Sequence, residues 1–330
     1  MKPSQLLLIL FYLTLPGGPA SAIELEPGSS HHYRVTRTIE STMKNLGTTT
    51  KTKEVYSREM NAVVGEKNDQ GLIPVSLNVT RVTGEAPAVN FDTLQVTTKK
   101  FDSQTWDGRT APPAHTFLPY IAQMKKPLTL WFTAEGRLES VTGSKDVNAE
   151  VAAMMDRMFR SDPAFESTKA YYRLGYRDSV QQWIWKDRLL FGLPEDFELG
   201  SEWEQKDVRV FHMFYVYVKG TFAAVDESAD GTEIEVAYDV PGTGKAAVEY
   251  GNQKYEYAAK NGTGEGKITV RPDGWLHKAE TTTHAYFDVT LHSGPTTVTV
   301  AGMTISVGAQ SVPFDDYYVR IGHSVERLAD

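Results

Sequence analysis

Apolar and polar residues alternate along two short stretches of the chain, and this alternation predicts two β-hairpins. In residues 127–143 (PLTLWFTAEGRLESVTG) it continues on both sides of Glu135-Gly136, and in residues 267–283 (KITVRPDGWLHKAETTT) on both sides of Asp273-Gly274. A tight hairpin turn needs a positive φ angle, which glycine adopts without steric cost. Longer alternating runs precede each hairpin, so we expect one β-meander in each half of the chain and a degenerate internal repeat.

The middle of the chain has the apolar spacing of α-helices. Residues 146–159 (DVNAEVAAMMDRMF) show this spacing and Asp146 fits the N-cap, while residues 178–191 (DSVQQWIWKDRLLF) predict another helix. A short helix is also expected at residues 115–124. The predicted fold is α+β and β-rich. Residues 23–145 and 197–330 form two antiparallel β-meander halves, and residues 146–196 form a helical insert packed between or against them.

The first 22 residues have the pattern of a signal peptide. Lys2 precedes an apolar run, and Ala20-Ser21-Ala22 fits the small-residue cleavage site, so we expect cleavage after Ala22. No later run has the length and apolar character of a transmembrane helix. The chain has no cysteine, which excludes disulfides and a thioether lipid anchor. This absence favours an exported protein of the bacterial periplasm or cell exterior.

A eukaryotic secreted protein remains the alternative, because Asn78 and Asn261 begin formal glycosylation triplets.

The charge of the chain excludes one class of partner. The chain has 34 basic and 42 acidic residues and a net charge of −8. Without a basic run it is a poor match for nucleic acid or an anionic membrane surface, so we expect no nucleic-acid partner.

The residue patterns of common catalytic centres are missing from the sequence. It has no Gly-Xaa-Ser-Xaa-Gly motif, no phosphate-binding loop and no His-Glu-Xaa-Xaa-His motif. His31 and His32 are adjacent, so in a strand they point to opposite faces and do not converge on one ion. Asp102 and Asp315-Asp316 are candidate acid–base carboxylates, but turn and capping roles are favoured. We therefore predict no catalytic residue, no cofactor and no metal site.

The methionine and aromatic residues of the predicted helical insert are the main candidates for a binding site. Methionine side chains and aromatic rings adapt to apolar ligands. The alternative is that these side chains only complete the core between the two halves. The candidate ligand-binding residues are Met154, Met155, Met158, Tyr172, Trp183 and Trp185.

Short motifs in the first half resemble a family of exported bacterial envelope proteins of unknown function. Phe101-Asp102-Ser103 is followed by a predicted helix, by Glu135-Gly136 with Leu138, and by Val141-Thr142-Gly143. The family pattern has Tyr and Val where this chain has Phe101 and Leu138. The resemblance covers about residues 28–330 and implies no enzyme activity. Many members are lipoproteins, and the missing cysteine separates this chain from them.

A more distant likeness in architecture is to half-barrel periplasmic lipid carriers, in which a curved antiparallel sheet cups helices and sometimes a lipid. The leading interpretation is a soluble, exported, non-enzymatic protein that binds a hydrophobic small molecule, a lipid or another envelope component between sheet and helices. The alternative is a structural or assembly partner of an envelope protein, which pairs through exposed strand edges or its surface. A hydrolase whose polar residues converge only in the fold is the third hypothesis.

Overall fold

The computed structural model of the protein describes residues 23–45, 48–90, 95–158, 169, 177–179, 181–182, 199–211, 214–250, 253–293, 296–300, 303–307 and 309–329. Within them, a 3₁₀ turn (His115–Phe117) leads into helix α1 (Leu118–Gln123), and helix α2 spans Ser144–Met158. The strands are β1 (Ser30–Asn45), β2 (Thr48–Val64), β3 (Ile73–Asn90), β4 (Gln95–Asp102), β5 (Leu128–Phe132), β6 (Leu138–Thr142), β7 (Glu202–Phe211), β8 (Phe214–Ser228), β9 (Gly231–Val240), β10 (Ala246–Tyr250), β11 (Gln253–Val270), β12 (Leu276–Ser293), β13 (Thr296–Val300), β14 (Met303–Val307) and β15 (Gln310–Arg327).

Thirteen of these strands form one large antiparallel sheet. Its order is β6-β5-β3-β2-β1-β15-β12-β11-β9-β8-β7, with β4 beside β3 and β10 beside β11, while β13 and β14 pair separately. The first and last long strands meet in the middle, where β1 and β15 pair from Tyr33 opposite Arg327 to Lys44 opposite Asp315. The backbone groups of these two strands therefore satisfy each other, and the two halves of the chain share one sheet.

This architecture shows that the predicted α+β fold, with a helical insert between two halves, is wrong. The protein is mostly β, and the β1–β15 pairing joins the halves directly. Of the predicted insert, α2 occupies residues 144–158, and Asp178 and Gln181 are helical. Helix α2 packs on α1, which contacts β3, so this pair lies on the N-terminal half of the sheet. None of the described helices has the length and apolar character needed to cross a membrane.

Both predicted hairpins and the short helix at residues 115–124 are confirmed. Strands β5 and β6 pair around Gly136 (φ 74°), and β11 and β12 pair around Gly274 (φ 78°). The two hairpins occupy different places, because the first lies at one end of the sheet and the second lies inside it. The internal repeat therefore stays a prediction.

One face of the sheet carries the hydrophobic core. Alternate residues of the long central strands are buried, as in Tyr33, Val35 and Ile39 of β1. Over the N-terminal half, α1 and α2 add the buried side chains of Leu118, Ile121, Val147, Val151 and Met154 to the same core. The opposite face is polar, and on it lies the groove described next.

Candidate ligand-binding groove

The strand register aligns two rows of side chains across the polar face of seven strands. Starting from β1, the first row is Thr38, Gly322, Thr282, Glu265, Ala237, Thr221 and Glu204. The second row is Thr36, Ser324, Glu280, Lys267, Glu235, Ala223 and Glu202. Half of the fourteen residues have a short side chain with a hydroxyl or methyl group and one is glycine, so space remains above the sheet between the longer carboxylates.

These rows enclose a groove of about 900 Å³. Its walls include Thr36 and Thr38 of β1 and Glu202 of β7, although five strands separate β1 from β7 in the sheet. The sheet therefore curves towards its polar face in this region. Glycines on β11 permit this curvature: a methyl group added to Gly264 or Gly266 would lie 2.5 Å from a carbonyl oxygen of β12.

The groove is negatively charged. Four carboxylates (Glu202, Glu235, Glu265 and Glu280) and one ammonium group (Lys267) line it, so these side chains sum to −3. The Lys267 Nζ lies 2.7 Å from Glu233 and 3.5 Å from Glu235, and the hydrogen bond to Glu233 raises the pKa of Lys267.

The other groove carboxylates have fewer partners. Glu280 pairs with Lys278 at 2.9 Å. Within the described part of the chain, Glu202 and Glu265 form no ion pair. Both side chains are exposed, so a ligand can reach their carboxylates.

Aromatic side chains lie further along the same polar face. The rings of Tyr286 and Tyr318 are 5.0 Å apart, and His284 lies 5.8 Å from Tyr318. Tyr217 of β8 is 70% exposed and Tyr286 is 44% exposed. Since tyrosine combines an apolar ring with a polar tip, these residues give the face a surface suited to amphipathic ligands.

The structure places the predicted methionines in the core. Met154 and Met155 are fully buried in α2, and Met158 is partly buried against the same core. Tyr172, Trp183 and Trp185 lie outside the described residues. The structure thus brings the three methionines together on one helix, on the apolar side of the sheet, and their role in ligand binding stays a prediction.

Two of the titratable residues singled out in the sequence, His31 and Asp102, have structural partners. The His31 ring packs on Trp275, with centroids 4.1 Å apart. Arg81 bonds to Asp102 at 2.7 Å, and this hydrogen bond lowers the pKa of the Asp102 carboxyl. Asp102 also accepts a hydrogen bond from the backbone of Gln104, so it has a turn role. Among the described residues, no three His, Asp or Glu side chains form a group that could hold a metal ion.

Sequence reasoning missed the groove because its residues have the ordinary pattern of solvent-facing strand positions. Thr, Ser and Glu at every second position are typical of any polar sheet face. The available signal was the run Gly262-Thr263-Gly264-Glu265-Gly266. Glycines repeated inside a strand indicate close backbone approach or a bend, and here they mark the centre of the groove.

Comparisons with known proteins leave the family open. No protein-family model matches the chain, and no curated protein matches it. A structure described as lipid–protein interactions in lipovitellin aligns with 93% of this chain and 26% of that chain, at 10% identity and a TM-score of 0.39. The chain thus spans about a quarter of that lipovitellin chain.

Two bacterial outer membrane proteins align at lower scores. The alignment with OmpT of Vibrio cholerae covers 94% of this chain and 100% of the OmpT chain, at 11% identity and a TM-score of 0.17. The alignment with an outer membrane channel from Pseudomonas putida F1 covers 95% of this chain and 99% of the channel's chain, at 9% identity and a TM-score of 0.15. Likenesses this low assign neither a fold nor a function to the chain.

Proposed function

We propose that the protein is an exported, non-enzymatic binding protein whose groove binds a cationic ligand rich in hydrogen-bond donors. The observation that carries the proposal is the groove of about 900 Å³ with a lining charge of −3. Its volume lies near the upper end of the range of about 300–1,000 Å³ for small-molecule sites. Carboxylates accept hydrogen bonds from ammonium and hydroxyl groups, and the threonine hydroxyls around them both donate and accept.

The electrostatics favour a positive ligand over a neutral one. Glu202 of β7 and Glu265 of β11 are separated by β8 and β9, so a ligand that contacts both carboxylates must span roughly 14 Å, as an extended polyamine does. Exposed charge pairs contribute about 0.2–1 kcal/mol each, so several contacts are needed for useful affinity. Screening by salt weakens such contacts, which makes the affinity dependent on ionic strength.

Calorimetric titration of the mature protein with spermine tests this proposal, with a neutral oligosaccharide as the second probe. We expect spermine to bind and its affinity to fall as salt is raised. Glu265→Gln and Glu202→Gln should each weaken binding by about two- to fivefold, since each removes one exposed charge contact. Glu139→Gln is the control, because it makes the same charge change on exposed β6 at the far end of the sheet. Equal affinity in all three variants, or no spermine binding, contradicts the proposal.

A hydrophobic small molecule or lipid on the apolar face is the second candidate ligand. Five aromatic rings meet there at the end of the β7–β8 hairpin: Phe211, Phe214, Tyr257, Phe287 and Tyr317. Phe214 stacks on Tyr257 with centroids 4.4 Å apart. All five rings are buried in the hydrophobic core, as Met154 and Met155 are, so an apolar ligand must displace core contacts to reach them.

Native mass spectrometry of the protein from its own host, followed by organic extraction, tests the apolar ligand. A co-purifying lipid supports this candidate. A clean apo protein that stays empty when lipid is added rules it out.

An envelope protein that pairs with a strand edge is the third candidate. Strands β6 and β7 end the described sheet, and the ten residues of β7 present one side of their backbone without a strand partner there. Open edges of this length can pair with another chain. A photoreactive residue at Lys206 would crosslink such a partner in intact cells, while one at Lys278 serves as the control, because β12 has a strand partner on each side. Equal crosslinking from both positions argues against edge pairing.

A further inference from the structure

The polar face continues past the groove through two further rows of side chains. On the far side of the first row, the third row is Glu40, Arg320, His284, Thr263, Asp239 and Lys219. The fourth row includes Thr42, Tyr318, Tyr286 and Asn261. At about 3.3 Å per residue, the fourth row lies roughly 13 Å along the strands from the first row of the groove. The groove and the fourth row therefore belong to one continuous surface.

Tyr286 and Tyr318 form an aromatic pair at the far end of this surface. They lie opposite each other on β12 and β15, with ring centroids 5.0 Å apart. Tyr286 is 44% exposed and Tyr318 is half-buried. A cross-strand pair of this kind stabilises the sheet, and its exposed ring area is also available to a ligand. The pair therefore places an apolar contact area on an otherwise polar face.

Hydrogen-bonding side chains lie between the tyrosines and the groove. The Thr263 hydroxyl oxygen lies 3.4 Å from Nε2 of His284, and the His284 ring centroid lies 5.8 Å from that of Tyr318. A hydroxyl group and a neutral imidazole each donate and accept hydrogen bonds. These side chains can therefore bond the hydroxyl groups of a ligand that extends from the groove to the tyrosines.

The charge changes along the same surface. The groove lining sums to −3, whereas the charged side chains of the third row, two acidic and two basic, sum to zero. Arg320 Nη1 lies 3.7 Å from Glu40, and Arg320 and Tyr318 share one face of β15. Burial raises the pKa of the Tyr318 hydroxyl, and the positive charge of Arg320 opposes this rise. An ammonium group of a ligand at the tyrosines would meet the same positive charge, so this end of the surface favours an uncharged group.

We propose that this surface binds a short amino-sugar oligosaccharide, with ammonium groups in the groove and an uncharged ring on Tyr286 and Tyr318. The proposal rests on the cationic ligand proposed above and names its chemical class. The C–H groups of a pyranose form an apolar face that packs on an aromatic ring, while its hydroxyl groups bond partners such as Thr263. Glu265 lies opposite Thr282 and on the same face of β11 as Thr263, so the ligand extends along β11 and β12. A linear polyamine has no ring, so it gains the groove contacts alone.

Calorimetric titration at pH 6, where sugar amines are protonated, tests the ligand class with three probes. They are spermine, a glucosamine tetramer that is N-acetylated on one terminal ring, and the fully N-acetylated tetramer. We expect the partly acetylated tetramer to bind at least fivefold more tightly than the fully acetylated one, because only the former carries ammonium groups.

Variants of the tyrosines test the ring contact. Tyr286→Ala should weaken binding of the partly acetylated tetramer by about three- to tenfold and leave spermine affinity within twofold, since spermine does not use the ring. Tyr286→Phe keeps the ring and should retain both affinities. Tyr217→Ala is the control, because it removes an exposed tyrosine from the same face, three strands away from β12. Unchanged spermine affinity in each variant also reports that the groove has folded.

The outcomes separate this inference from the proposed function. If spermine binds and Tyr286→Ala leaves tetramer affinity unchanged, the tyrosine contact is wrong and the acidic groove stands. Equal weakening of tetramer binding by Tyr286→Ala and Tyr217→Ala contradicts a ligand that extends along β11 and β12. Equal affinity of the two tetramers contradicts the placement of ammonium groups in the groove. If none of the three probes binds, the proposed function fails together with this inference.

Discussion

Replacing Gly136 by alanine should destabilise the protein far more than the same change at Gly108. Both glycines have positive φ angles, 74° and 72°. Alanine in the left-handed region costs roughly 1–2 kcal/mol, and this strain is common to both variants. Their surroundings differ, because no atom lies within 4 Å of the added methyl group at Gly108.

The extra cost at Gly136 comes from residues 23–25, here named the N-terminal clip, whose Ile23 is buried against the β5–β6 turn. In this clip the Glu24 N–H donates to the Asp273 carbonyl, and the Glu24 carbonyl accepts from the Trp275 indole. The added methyl group would lie 2.5 Å from the nitrogen and 3.2 Å from the oxygen of Ile23, so the Ile23 backbone must move. Exposing a buried isoleucine costs about 1.5–3 kcal/mol. Each lost hydrogen bond of Glu24 adds about 1 kcal/mol. We therefore expect Gly136→Ala to cost about 2–5 kcal/mol more than Gly108→Ala.

Guanidinium unfolding followed by tryptophan fluorescence and circular dichroism measures this difference. Coincident transitions with an unchanged slope are needed to convert midpoints into free energies. The decisive comparison repeats both variants in a chain that begins at Glu26. Without Ile23 the collision is absent, so the two substitutions should then cost the same. A difference below about 1 kcal/mol in the chain that retains the clip, or one that persists without the clip, refutes the reasoning.

Three further predictions follow from buried or hydrogen-bonded groups. Trp275→Phe should cost about 2–4 kcal/mol in denaturant unfolding, because it removes the buried donor to Glu24 and leaves a cavity where the buried indole was. Trp131→Phe, whose indole bonds the exposed Thr142 hydroxyl, should be nearly neutral, and equal costs would contradict this. Met154→Ala should cost about 2–5 kcal/mol because Met154 is fully buried, and Met158→Ala should cost less than about 2; the reverse order would place the core elsewhere. Hydrogen bonds from the Thr110 hydroxyl and the Thr110 and Arg109 backbones hold the pKa of Asp107 at about 2, which NMR titration checks. Because the folded pKa is lowered, the stabilisation from Asp107 is present above about pH 4 and is lost as the pH falls to about 2. An ordinary pKa for Asp107 would show that these hydrogen bonds do not form in solution.

Local features of the fold could be predicted from the sequence because they depend on neighbouring residues. Glycine at 136 and 274 sets two turns through its access to positive φ, and the structure has both. The spacing of apolar residues predicts a helix over residues 146–159, and helix α2 spans Ser144–Met158. Alternation also separates buried from exposed positions, as in β1.

The order of the strands could not be obtained this way. Ile39 and Ile321 lie opposite each other in the β1–β15 pair, yet they are far apart in the chain. Alternation shows which face a residue occupies and carries no information on which strand lies beside it. For this reason two separate halves were predicted where one sheet forms.

The sequence by itself determined the turns, the short helices and the two faces of the strands, because torsional preference and alternation act over a few residues. Only the tertiary structure decided the central β1–β15 pairing, the groove and the clip. The groove exists because seven strands align small residues in two rows and then curve. The clip site exists because two distant turns meet at Ile23 and Glu24. Both depend on strand order and curvature, which arise from contacts between residues that are remote in the chain.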